Sequence, residues 1–219
     1  MEEDGTKGAG PRSRPPPHAR REAEVEFTRV VAFTDGVFAI AITLLVLALE
    51  VPAGVDDVGA ALRDRSSDFV AYAFSFAVLG SIWLAHHRFY GSVVRFNTRL
   101  IVLNLVYLAL VGLVPFSAEL LGHYSDTTDG VIVYALNLAG ISLAFTAQVF
   151  YAFHHDMVEQ DLHQYERRFL GPAAFVVSGT FLLSIPVAFV DPNICPFIWV
   201  GLLVFGGRIA DAIGGRSGL

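Results

Sequence analysis

Six apolar stretches alternate with shorter polar segments along this 219-residue chain. Each stretch is close to the roughly 20 residues that an α-helix needs to cross the hydrocarbon core of a bilayer. In chain order they cover residues 33–50, 69–88, 100–118, 131–153, 169–190 and 196–213. The pattern therefore predicts an all-α integral membrane protein with six transmembrane helices.

The composition agrees with this class and divides the chain into a membrane domain and two tails. Hydrophobic residues make up 54% of the sequence and charged residues only 16%, whereas soluble domains carry about 25% charged residues. Residues 1–26 are charged and rich in Pro and Gly without an apolar signal-peptide core, which predicts a disordered tail. Residues 27–213 are expected to form one membrane domain, followed by a short tail over 214–219. No nucleic-acid partner is expected.

Basic residues are distributed unequally between the two sides of the predicted spans. One set of segments, which includes both chain ends, carries most of them, among others Lys7, Arg21, Arg29, Arg88, Arg95, Arg99, Arg167 and Arg208. In the opposite set only Arg63 and Arg65 occur. By the positive-inside rule, both termini are predicted to be cytoplasmic. An even number of spans agrees with this, since it leaves both termini on the same side of the membrane.

The first span carries an apolar stripe. Ile40, Thr43, Leu44 and Leu47 recur at i, i+3, i+4 and i+7, so they share one face of a helix. Such a face can pack against neighbouring helices, contact lipid or line a pore. Periodicity alone does not distinguish these roles.

A carboxylate, Asp35, lies near the start of this span. An ionisable residue within a span costs a few kcal/mol and usually has a polar partner or an aqueous path. We expect hydrogen bonds to polar groups at a similar depth, which would stabilise the inner end of the helix. The candidate partners are Trp83, His87, Asn97 and Asn104, and Arg29 is expected in the same polar network.

The segment "RVVAFTDGVFAIAITLLVLALEVP" resembles the signature of the transmembrane protein 175 family of potassium channels. That signature is R-x-x-x-F-S-D followed by an apolar pore-lining run, and it corresponds here to Arg29, Phe33, Thr34 and Asp35. Thr34 replaces the usual Ser and retains its hydroxyl. "IWLAHHRFY" on the second span and "LNLVYLALVGLVPF" on the third extend the resemblance.

The resemblance implies a homotetramer with one six-helix unit per chain, in which four copies of the first helix surround a potassium-conducting pore. Ile40 would form the narrowest ring, Leu44 and Leu47 further apolar rings, and Thr43 a hydroxyl layer. The signature residues would brace the pore helix together with Trp83, His87 and Asn104. A multi-pass protein of the cell membrane is expected, with potassium ions and the lipid bilayer as partners and without a cofactor.

Two other functions remain open at this point. Histidines predicted on the cytoplasmic side could form the metal site of a membrane enzyme, namely His86, His87, His154, His155 and His163. Asp35 could be the carrier of a proton-coupled transporter, although such sites usually lie near the midplane at broken helices. The resemblance favours a channel and no enzyme activity.

Overall fold

The computed structural model describes residues 17–49, 57–124, 127–159 and 177–213. These residues fold mainly into α-helices. Tail residues 1–16 and 214–219, residues 169–176 of the fifth predicted span and His163 lie outside the described residues. The helices are α1 (Pro17–Leu44, continued by a 3-10 turn Leu45–Ala48), α2 (Val58–Asp64), α3 (Ser66–Gly91), α4 (Thr98–Gly112), α5 (Val114–His123), α6 (Thr128–His154), α7 (Val177–Ala188) and α8 (Cys195–Ile213).

Four segments of the described chain are long and apolar enough to cross a membrane. They are Val25–Ala48, Ser66–Gly91, Thr98–His123 and Thr128–His154, and they coincide with the first four predicted spans. The fifth and sixth predictions coincide with shorter apolar helices, Val177–Ala188 and Pro192–Phe205. The chain is thus a multi-pass membrane protein, and the described residues support four of its six predicted spans.

α1 begins at Pro17, inside the stretch predicted to be a disordered tail. Proline fits the first helical position because its missing N–H has no partner there and its φ angle is already helical. The residues that follow, "HARREAEVEF", include Ala, Arg and Glu, which favour helix. α1 is therefore already helical well before residue 33, where the first apolar span was predicted to start.

The third predicted span consists of two helices. α4 ends at Gly112 and α5 begins at Val114, with Pro115 in the first turn of α5. Proline is tolerated there because backbone N–H groups in the first turn of a helix have no acceptor within that helix, so the missing N–H of proline costs no hydrogen bond. α5 continues to His123, beyond residue 118, where the third predicted span ends.

α6 occupies the centre of the described bundle and packs against both α4 and α5. In the most apolar window of α6, 44% of the residues are buried, compared with 22% in α1. α3 packs against α5, and α1 contacts α3 and α4 along one side only. As a result, α1 keeps a long apolar face that its own chain does not cover.

Candidate functional site

α1 has two faces of opposite character. Thr34, Phe38, Ala41 and Leu45 are at most 2% exposed and pack into the bundle. On the outward side, Ile40 is 60% exposed, and the side chains of the remaining predicted pore residues are also exposed, namely Thr43, Leu44 and Leu47. The stripe predicted from the sequence is therefore the face that α1 turns away from its own chain.

The hydroxyl of Thr43 has a fixed orientation within this stripe. Thr43 Oγ1 donates a hydrogen bond to the backbone carbonyl of Ile40 over 2.9 Å. Because that bond uses the only hydroxyl proton, the oxygen has lone pairs but no proton to offer outward. At this level of the stripe the side chain can accept a hydrogen bond or coordinate a cation.

A chain of buried hydrogen bonds joins α1 to α4 and α3. Thr34 Oγ1 donates to Val30 O over 3.0 Å, and Asn104 Nδ2 donates to Thr34 Oγ1 over 2.8 Å. Asn104 Oδ1 then lies 3.1 Å from His86 Nε2. Since an amide oxygen only accepts, His86 must donate from Nε2. Thr34, Asn104 and His86 are each at most 2% exposed.

A second hydrogen bond holds the next residue of α1. Trp83 Nε1 on α3 donates to Asp35 Oδ1 over 2.9 Å. The indole stacks against the His87 ring, with a centroid distance of 5.2 Å and an interplanar angle of 25°. The consecutive residues Thr34 and Asp35 thus attach α1 to two different helices, Thr34 to α4 and Asp35 to α3.

The remaining signature residues are not part of these contacts. Phe33 is 56% exposed and lies on the outward side of α1. Arg29 is also exposed, and its side chain has no hydrogen bond or ion pair to any residue within the described ranges. Asn97, a predicted partner of Asp35, instead caps α4 through Leu100 N and donates to Tyr151 OH over 2.9 Å.

The sequence interpretation named His86 only as a candidate metal ligand and missed its hydrogen bond to Asn104. Its ring stacks against Tyr90 with centroids 4.1 Å apart and against Tyr107 with centroids 5.3 Å apart. His86 lies seven residues after Leu79, which is fully buried, so both are on the same face of α3. The neighbouring His87 is exposed instead, and the sequence alone does not show which of the two histidines is on the buried face.

The histidines do not form a metal centre within the described parts of the chain. Those parts contain no group of three or more His, Cys, Asp or Glu side chains that could hold a metal ion. His154 and His155 are exposed at the end of α6, and His155 Nδ1 lies 2.9 Å from the carbonyl oxygen of Tyr151.

Comparison with known proteins places the site in a family. The family model described as "Endosomal/lysosomal potassium channel TMEM175" matches residues 29–115, which include the stripe of α1 and its hydrogen-bond partners Trp83, His86 and Asn104. A potassium channel of Streptomyces collinus is 41% identical over 128 residues, 56% of this chain and 62% of that relative. A potassium channel of Chamaesiphon minutus is 34% identical over 185 residues, 78% of this chain and 90% of its own.

The chain belongs to the TMEM175 family. The crystal structure of a lysosomal potassium-selective channel TMEM175 homolog from Chamaesiphon minutus matches with a TM-score of 0.74 at 28% identity, covering 85% of this chain and 99% of that one. These matches confirm the family membership that the signature in α1 predicted. The matches also confirm a membrane protein of a channel family and not an enzyme. This TMEM175 member spans about three fifths of the length of the Streptomyces relative.

Proposed function

We propose that the protein is a homotetrameric cation channel that conducts potassium in preference to sodium, with the outward face of α1 lining the central pore. The observation that carries this proposal is the two-faced character of α1. Hydrogen bonds fix its inward face to α3 and α4, while an apolar stripe on its outward face is left for contacts beyond the protomer. The relatives named as potassium channels support the same function.

In this proposal the gate is a ring of four Ile40 side chains. A narrow apolar constriction blocks ions because water inside it is unstable, and a small dilation is enough to wet it. Leu44 and Leu47 form further apolar rings, closer to the C-terminal end of the first span than the Ile40 ring. The gate therefore opens through a small tilt or rotation of α1 and needs no broken helix.

Thr43 supplies the polar layer next to this gate. Its hydroxyl proton is already donated to Ile40 O, so four Thr43 oxygens present only lone pairs to the axis. Such a layer replaces part of the hydration shell of a cation and gives nothing to an anion. This arrangement supports cation conduction, and the preference for potassium follows from its more easily lost hydration shell.

Two residues of α1, Thr34 and Asp35, and their partners Asn104, His86 and Trp83 form what we call the brace. The brace holds this end of α1 and does not contact the permeating ion. With both termini in the cytoplasm, as the basic residues indicate, this brace lies at the inner end of the pore in the cell membrane. Thr34 and Asp35 point into the protomer instead of toward the stripe. The chain needs no cofactor for this function.

Replacing Asp35 by Ala is expected to lower the yield of assembled oligomer and leave the potassium-to-sodium flux ratio of the remaining channels unchanged. The variant removes the acceptor of the Trp83 indole N–H, and a hydrogen bond to a charged group contributes roughly 1.5–3 kcal/mol. Size-exclusion chromatography and ion flux from the same preparation measure both quantities. Asp35→Asn retains an accepting oxygen and is the matched control, which should assemble normally. Normal assembly of Asp35→Ala with an altered ion preference would place Asp35 in the permeation path.

Current measurements across a planar bilayer distinguish the channel from a proton-coupled transporter. Under a potassium gradient, a channel gives a current that reverses near the potassium equilibrium potential, and a pH gradient does not move that reversal. A reversal potential that follows the pH gradient would contradict the proposal and favour coupled transport through Asp35.

A further inference from the structure

Phe27 contacts the bundle on the same face of α1 as the brace, but closer to the N-terminus. It lies seven residues before Thr34, about two helical turns away. Its ring centroid is 5.4 Å from that of Phe96, and 6.2 Å from that of Tyr90 with an interplanar angle of 13°. Phe27 precedes the R-x-x-x-F-[ST]-D signature, so the signature does not account for this contact.

Tyr90, the first partner of Phe27, is held firmly. It is 4% exposed, and its hydroxyl donates to Gln148 Oε1 on α6 over 2.8 Å. Its ring also stacks on His86, which hydrogen-bonds to Asn104 in the brace. Tyr90 therefore connects Phe27 both to the central helix and to the group that holds Thr34.

Phe96, the second partner, lies in the connection between α3 and α4, which is tied to the end of α6. Asn97, the next residue, donates to Tyr151 OH. Three backbone hydrogen bonds join the two segments: Val94 N and Arg95 N donate to Met157 O over 2.8 and 3.2 Å, and Glu159 N donates to Ser92 O over 3.0 Å. We call Tyr90, Phe96 and these supporting segments the inner platform.

The spacing along α1 makes this contact a lever. At a rise of 1.5 Å per residue, Phe27 lies about 10 Å on one side of Thr34 and Ile40 about 9 Å on the other. Thr34 and Asp35 are pinned between them. A tilt of α1 about these pinned residues would move Phe27 and Ile40 by similar distances in opposite directions.

We propose that Phe27 is a positioning residue of the gate, and that its packing against the inner platform sets the tilt of α1 and thereby the width of the Ile40 ring. This role rests on the proposed channel function. The packed contact favours the narrow ring, so loosening it favours the open channel. Phe27 does not touch the permeating ion, and ion preference is independent of it.

Potassium flux from vesicles that contain purified Phe27→Ala tests the proposal. One aromatic contact of this kind corresponds to roughly a two- to tenfold shift in an equilibrium. We therefore expect flux to rise by about that factor with an unchanged potassium-to-sodium ratio. Phe27→Tyr keeps the ring and should behave like the parent. Phe116→Ala removes a ring that is 57% exposed on α5 and is the matched control.

A double-variant cycle separates this role from a general loss of stability. Phe96→Ala should raise potassium flux as much as Phe27→Ala does. The flux of the double variant should be close to that of either single variant, because each substitution removes the same contact between the two rings. Independent, multiplying effects would overturn the coupling through the inner platform. Phe27→Leu, which keeps an apolar side chain of similar bulk without the ring, is the second variant should Phe27→Ala not fold.

The Ile40→Asn variant, measured in parallel, keeps this proposal distinguishable from the channel function. If Ile40→Asn conducts and folded Phe27→Ala or Phe27→Leu has the flux of the parent, the positioning role is wrong and the channel function stands. If the parent and Ile40→Asn both fail to conduct, the proposed function is overturned and the role of Phe27 with it.

Discussion

Ile40→Asn is expected to raise potassium flux by about tenfold and to reduce the preference for potassium over sodium. A ring of four amides keeps water in the constriction, so the barrier from dewetting disappears. A reduction of only about 1.4 kcal/mol in that barrier corresponds to a tenfold change. Because Ile40 is 60% exposed in the protomer, the substitution leaves the fold of a single chain undisturbed.

Flux from vesicles with equal protein content measures this effect for both ions. Val106→Asn places the same amide on α4 at a position that is 53% exposed, and it should conduct like the parent. An equal rise in both variants would indicate a general membrane leak. An Ile40→Asn variant that conducts like the parent would show that Ile40 is not the constriction.

Asn104→Leu is expected to lower the free energy of unfolding by about 2–3 kcal/mol. Leucine has a similar size but accepts no hydrogen bond, so the His86 Nε2–H is left unpaired in a buried site. An unsatisfied buried donor costs roughly 1–3 kcal/mol. Thr34 loses its Asn104 donor at the same time. Thermal unfolding in detergent, followed by size-exclusion chromatography, measures the loss.

A second substitution tests whether the unpaired donor is the cause. Adding His86→Phe to Asn104→Leu removes the donor while keeping a ring beside Tyr90 and Tyr107, so part of the lost stability should return. Adding His87→Phe instead should restore nothing, since His87 stacks on Trp83. Equal recovery from both would show that the hydrogen bond between Asn104 and His86 does not account for the loss.

The sequence predicted those features that depend on periodicity and on the energetic penalty of polar groups in a membrane. The first four spans follow from hydropathy, and the spacing of Ile40, Leu44 and Leu47 predicts that they share one face of α1. That this face is turned away from the chain itself is known only from the structure. The cost of an unpaired carboxylate was enough to predict a polar partner for Asp35, and Trp83 was among the candidates.

The features that sequence reasoning missed depend on rotation and on tertiary contact. Consecutive helical residues point about 100° apart, so choosing between His86 and His87 requires knowing which side of α3 faces α4. Asn97 has the right chemistry for the brace, but as the cap of α4 its amide is turned toward Tyr151. The contact of Phe27 with Phe96 joins α1 to a connecting segment, and no local pattern marks that contact.

The measurement that tests the central claim most directly is the flux of potassium against sodium from liposomes containing the purified protein under matched gradients. The account predicts a passive flux of both cations with potassium faster, and no flux of chloride. A parent protein that is assembled and folded but passes neither cation, together with an equally silent Ile40→Asn variant, would contradict the assignment of α1 as the lining of a cation pore.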